Sequence, residues 1–160
     1  MLVEQFARLG AQHKAAVARH LTSLDWDSRL LRFGTPLKDE AISRYVSGID
    51  FEHDVVEGVW DEGVLVGVAH LAVYVEDARP VGELGISVSQ DLRHRHLGAR
   101  LLSRVLLNAR LMRLARVYVH YIVRNRPMAR LARGFTQVVE IQRGEACATI
   151  DLQEVERAVA

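Results

Sequence analysis

Val88-Ser89-Gln90-Asp91-Leu92-Arg93-His94-Arg95-His96-Leu97-Gly98-Ala99-Arg100-Leu101-Leu102 runs from the end of an alternating segment, through a basic loop, into a segment of helical period. Before it, residues 81–88 are rich in β-branched side chains at period two, which predicts a strand. After it, residues 98–112 place Leu101, Leu102, Val105, Ala109 and Met112 on one helical stripe, with Arg100, Arg104 and Arg110 largely off it. Residues 117–123 return to the strand pattern. A strand–helix–strand unit of this kind is ordinarily parallel and right-handed. It places the loop before the helix at the carboxyl edge of the sheet, where open α/β sheets bind ligands.

Working outward, residues 55–60 and 64–75 flank Asp61-Glu62-Gly63, a turn of hairpin length, and Asp77-Ala78-Arg79-Pro80 turns the chain into 81–88. Downstream, 127–133 reads as a short helix ended by Gly134, and 138–142 and 146–152 form a hairpin around Arg143-Gly144-Glu145. Upstream, the spacing of Phe6, Leu9, Ala16, Val17, His20 and Leu21 predicts a helix from near the chain start. Ser23-Leu24-Asp25 breaks it. Short helices follow over 28–33, stopped before Pro36, and over 39–46, with Gly48 just past the end. The expected fold is an α/β sandwich around a mixed sheet, centred on 81–123.

At 160 residues the chain is the usual size of one domain, expected to span 1–160. With 49% hydrophobic and 26% charged residues it is neither disordered nor fibrous. Its apolar runs fall far short of the roughly 20 residues of a membrane-spanning helix, and MLVEQFARLG carries Glu and Arg where a signal peptide is apolar. The expectation is a cytoplasmic protein with no membrane partner. The single Cys147 allows no internal disulfide and no Cys-x-x-Cys zinc site; it reads as a small buried hydrophobe. His94 and His96 have i, i+2 spacing without a third ligand nearby, so no metal is expected.

The net charge of +1 hides an uneven distribution: residues 92–139 hold eleven arginines and no Asp or Glu, while the first half is acidic. That block suits either a polyanionic ligand or a solvated Arg-rich face. Few aromatics interleave with it, which argues against nucleic acid. The loop before the central helix favours the ligand. The first N–H groups of a helix lack internal partners and sit at the positive end of its dipole, so they bind anions. Arginine is unhelpful to such a helix start on its own account, where Asp or Glu would be expected.

Here the sequence resembles the GNAT family of acetyl-CoA-dependent N-acetyltransferases, over roughly 21–152. The family signature, Gln/Arg-x-x-Gly-x-Gly/Ala between a strand and a helix, is met at Arg93 and Gly98, followed by Ala99, with His96 in place of the inner glycine. The likeness implies a mostly antiparallel mixed sheet flanked by helices, with a central β-α-β unit that binds acetyl-CoA. It implies that Arg93, His94, Arg95, His96, Leu97, Gly98 and Ala99 wrap the pyrophosphate, that backbone groups of Ile86, Ser87 and Val88 bond the pantetheine arm, and that Asn125 contacts the cofactor. Residues 125–135 and 27–33 are similar to segments of the bacterial protein-lysine acetyltransferase branch. The tyrosine acid the family often carries seven residues after the asparagine is Ala132 here. Tyr118 and Tyr121, on opposite faces of a strand, are substitutes or simply packed aromatics.

Transfer to an amine needs a general base. Glu83, on the face of Gly85 and Ser87, holds a position where many of these enzymes carry a catalytic glutamate; a structural ion pair with an arginine is the competing reading. His120 lies where a related branch carries its own, and could equally be a satisfied strand histidine. The resemblance implies acetyl transfer to a primary amine, either a protein lysine or a small cationic amine, or else a degenerate domain that binds acetyl-CoA or CoA without turnover. Monomer and homodimer both remain open.

Overall fold

The computed structural model describes residues 4–153, and His94 in its backbone alone. Seven strands form one sheet: β1 (Gln5–Arg8), β2 (Val55–Asp61), β3 (Val64–Glu76), β4 (Arg79–Val88), β5 (Arg116–Ile122), β6 (Val139–Gln142) and β7 (Glu145–Asp151). Their order is β1-β2-β3-β4-β5-β7-β6, and every neighbouring pair is antiparallel except the parallel β4–β5. Two-residue turns with both backbones left-handed join β2 to β3, β3 to β4 and β6 to β7, at Glu62-Gly63, Asp77-Ala78 and Arg143-Gly144. Such turns match the natural twist of hairpins. Arg79 and Pro80 therefore belong to β4 rather than to the turn, with Pro80 opposite Val75.

Alternation along these strands builds two cores. One face packs Val56, Leu65 and Val68 under α1 (Lys14–Thr22) and α3 (Asp39–Ser47) through Val17, Leu21, Ile42 and Val46. The other packs Leu71, Leu84, Ile86, Val117 and Val119 against α4 (Leu97–Leu111), whose Leu101, Leu102, Val105 and Ala109 lie on the stripe read from the sequence while its last expected member, Met112, is exposed past the helix end, and Ala132 of α5 (Arg126–Arg133) joins them. Between the first two helices of the first layer, α2 (Trp26–Phe33) is capped by Asp25, whose carboxylate accepts the Ser28 N–H at 2.8 Å.

The expected helix at the chain start is corrected by the structure. Gln5 to Arg8 pair with Trp60 to Glu57 as an edge strand, and after a single tight turn at Ala11–His13 the helix begins only at Lys14. Phe6 and Leu9, three apart, fit a helix as well as a strand, and pairing with β2 decides between them, as tertiary context commonly overrides local propensity.

Two irregularities make room for a site. Trp60 pairs with Leu65 and Val59 with Gly67, so Val66 is a bulge, and its carbonyl accepts the Ser89 N–H at 2.8 Å, fixing where β4 gives way to the basic loop. In addition, β4 and β5 pair only from Val81↔Arg116 to Leu84↔Val119, whereas β4 stays on β3 through Val88 and β5 stays on β7 through Ile122. The two strands part beyond Leu84, opening a cleft at the carboxyl ends of parallel strands.

Candidate functional site

The cleft is a groove of about 670 Å³. Ile86, Ser87 and Val88 form one wall, Asn125, Met128 and Leu131 the other, and His96, Gly98 and Ala99 at the start of α4 the end. On the β5 side the main chain of 85–88 has lost its strand partner. Asn125 is buried: its side-chain oxygen accepts the Met128 N–H at 3.2 Å to cap α5, and its amide nitrogen donates to the Leu31 carbonyl at 3.4 Å, tying α5 to α2 across the groove. The start of α4 carries no side-chain cap and no acidic residue. Its first helical bond runs from Arg100 N–H to the His96 carbonyl, which leaves the N–H groups of Leu97, Gly98 and Ala99 directed out of the helix end. His96 has φ 58, in the left-handed region where glycine is at ease, which is the conformational reason for a glycine in the signature.

The structure divides the arginine block. Arg93 lines the groove, its Nε donating to the Val88 carbonyl at 3.2 Å and its Nη2 to Ser28 Oγ at 2.8 Å, without a salt bridge among the described residues. Arg130 also lines it. Arg95 turns to the opposite side, pairing with Glu4 at 3.2 Å and Asp61 at 3.5 Å; Arg100 pairs with Glu4 and Arg104 with the buried Glu57. Leu97 is fully buried in the core, and the side chain of His94 lies outside the described residues. The acidic first half of the chain is thus partly neutralised from within by arginines of the second. The groove itself is lined by Arg32, Arg93 and Arg130 and by no carboxylate.

A second chamber, of about 420 Å³, adjoins the groove, and Leu31 and Arg32 line both. Arg32 lies flat on Gly85, where a Cβ would come within 2.3 Å of its guanidinium, and stacks over the rings of Phe33 and Tyr45. Glu83 and His120, the two candidate bases, both line this chamber, together with Glu145, Tyr45 and His70. Both Glu83 and His120 are exposed. His120 lies 3.9 Å from the Cys147 sulfur, and burial raises the pKa of that thiol, leaving it a poor nucleophile. The Tyr118 hydroxyl is hydrogen-bonded to Glu76, and Tyr121, packed into the core, also lines this chamber.

Sequence reasoning treated His20 as one more member of a helical stripe. It is buried, 2.8 Å from Ser87 Oγ, and burial lowers its pKa to about 4, so the ring is neutral and locks α1 to β4 behind the groove. The Ser87 hydroxyl is occupied there, leaving its main chain to the groove. Tyr45, His70 and Asp54 were also missed. Each reads alone as an ordinary helix, strand or loop residue, and only the sheet register brings them to the chamber.

Solved structures share this architecture. The GNAT domain of Streptomyces lividans PAT superposes with a TM-score of 0.78 at 16% identity, covering 92% of this chain and 90% of that one. The yncA protein of Salmonella typhimurium, solved with its cofactor acetyl-CoA, gives 0.73 at 15% identity over 93% and 94%. Ribosomal-protein-alanine N-acetyltransferase from Brucella melitensis gives 0.67 at 16% over 91% and 96%. No curated protein sequence matches the chain. The model of the acetyltransferase (GNAT) family matches residues 19–135, from α1 through the groove to the end of α5. With that match laid over the parted strands and the basic groove, the chain belongs to the GNAT family of acetyltransferases, which use acetyl-CoA as cosubstrate.

Proposed function

We propose that the chain transfers the acetyl group of acetyl-CoA directly to a primary amine held in the second chamber. The carrying observation is the different charge of two cavities that share Arg32: the groove adds Arg93 and Arg130 and no carboxylate, and the chamber adds Glu83 and Glu145. The first suits a polyphosphate, the second a cation. The residues fit acetyl-CoA: Arg93, Arg130 and the N–H groups at the start of α4 would hold its diphosphate, the open edge of β4 at Ile86, Ser87 and Val88 the pantetheine arm, and Asn125 the opposite wall. Bound there, acetyl-CoA supplies the acetyl group as a thioester, activated toward an amine.

Glu83 acts as the general base, receiving a proton from the docked ammonium at its carboxylate on the water-exposed side of the chamber. The acceptor is a protein lysine or a small cationic amine. Similarity of 27–33 and 125–135 to the protein-lysine branch favours the former, and both glutamates serve either. The test is thiol release from acetyl-CoA across a panel of small amines and lysine peptides. Glu83→Gln is expected to lower kcat about 10²-fold while leaving acetyl-CoA affinity intact. Unchanged turnover would move the base to His120 or to no residue at all. A second reading, binding without turnover, rests on His96 standing at the glycine position and Ala132 at the tyrosine position; acetyl-CoA binding with no acceptor turned over would favour it.

A further inference from the structure

Four polar side chains from separate parts of the fold line up behind the acceptor chamber. Arg32 Nη2 donates to the Tyr45 hydroxyl at 2.8 Å, that hydroxyl is hydrogen-bonded to His70 Nδ1, and His70 Nε2 lies 2.8 Å from Asp54 Oδ2. The other Asp54 oxygen accepts the Val73 N–H at 3.0 Å. Asp54 and His70 are each only 8% exposed; Arg32, Tyr45 and an edge of His70 line the chamber, and Asp54 lies behind them.

The chemistry of the donors fixes the direction of every proton. A carboxylate only accepts, so His70 carries its hydrogen on Nε2. Burial outweighs the neighbouring carboxylate and lowers the pKa of the ring, which is therefore neutral near pH 7 with a bare lone pair on Nδ1. The Tyr45 O–H must then point inward to Nδ1. A guanidinium only donates, so Arg32 takes one lone pair of the phenol oxygen, and the other is left for the chamber. The Arg32 guanidinium that holds this oxygen lies on Gly85, the β4 residue that pairs with His70 across the sheet. A simple tether of α3 to β3 would need one hydrogen bond; it does not account for three bonds of uniform direction ending in an oxygen held by a cation.

We propose that Asp54, His70 and Tyr45 form a proton relay that opens into the acceptor chamber at the Tyr45 oxygen and takes a proton from the acceptor nitrogen. The proposal rests on amine acetylation as argued above. A primary ammonium sheds two protons on the way to an amide. Glu83 receives the first at docking. The second is released as the nitrogen lone pair becomes the N–C bond, while the C–S electron pair departs with sulfur, which takes a proton from water. This second proton passes from nitrogen to the Tyr45 oxygen as the phenol's own proton passes to His70 Nδ1. The positive charge moves from nitrogen to an imidazolium facing Asp54, and the proton returns to solvent by the same path once the chamber empties. Tyr45 is the catalytic residue of this relay, and His70 and Asp54 are positioning residues that act through it.

Two readouts test it. In the free protein at neutral pH, the ¹⁵N shifts of the His70 ring should show a protonated Nε2 and a bare Nδ1; a ring protonated on Nδ1 overturns the relay. Against an amine that the wild type acetylates, Tyr45→Phe and Asp54→Asn should each lower kcat about 10²-fold with acetyl-CoA affinity unchanged. Asp54→Asn keeps both hydrogen bonds and should keep the wild-type Tm. Its amide, however, donates to Nε2 and drives the ring proton to Nδ1, where it blocks the hand-over. A kcat within about twofold of wild type in both variants overturns the proposal. Failure of the wild type on the whole amine panel counts instead against amine acetylation, and the ring tautomer then still decides whether the relay's resting state exists.

Discussion

His96 is the residue at which local strain and function meet most plainly. A non-glycine side chain at φ 58 costs about 1 kcal/mol, somewhat less for His than for a branched residue. His96→Gly should therefore raise Tm by up to about two degrees in thermal unfolding, most of the relieved strain being offset by the freer unfolded chain. An unchanged or lower Tm would mean that the imidazole makes a compensating contact. Gly85 illustrates the converse, a position where the absence of a side chain seats another. Gly85→Ala should push Arg32 off its bed and raise KM for the amine more than KM for acetyl-CoA, as steady-state kinetics would show. At this scale the sequence was partly legible. Alternation alone placed Glu83 on the Gly85 face, but nothing in the basic loop distinguishes Arg93, which lines the groove, from Arg95 two residues on, which is turned toward Glu4 and Asp61.

Among the elements, α4 carries two jobs on two sides, its N-terminus at the groove and its flank against β2. On that flank Arg104 Nε donates to Glu57 at 2.9 Å and Asn108 donates to the other carboxylate oxygen at 2.9 Å, so the only buried glutamate among the described residues is fully engaged. Arg104→Ala strips a buried carboxylate of its cation and should cost about 2–3 kcal/mol in denaturant unfolding, without weakening acetyl-CoA binding. A loss of affinity in that variant would mean that Arg104 belongs to the ligand after all. The β-α-β centre, the two following hairpins and the short helices were readable because their periods are long and their turns carry Gly, Asp or Pro. The first strand was not, since four residues are too few to display a period and its existence depends on a partner some fifty residues away.

For the whole molecule, the uneven charge along the chain resolves into geometry. Arginines of the second half neutralise Glu4, Glu57 and Asp61 of the first, and two others, Arg93 and Arg130, line the groove. The global fold also carries a predicted acid sensitivity. His20 has a folded pKa of about 4 against an ordinary 6.5, so below pH 6.5 the unfolded chain binds a proton that the folded one refuses. Stability should fall as pH drops from 6.5 to about 4, by up to about 3 kcal/mol from this group. His20→Gln, which can still bond Ser87, should flatten that slope in urea titrations across the window. The central claim, that the parted strands β4 and β5 hold acetyl-CoA, is tested most directly by calorimetric titration of the wild type, Arg93→Ala and Arg95→Ala with acetyl-CoA. Micromolar binding that Arg93→Ala weakens at least about tenfold and Arg95→Ala leaves intact is the expected result. Equal effects of the two substitutions, or no binding by the wild type, would contradict it.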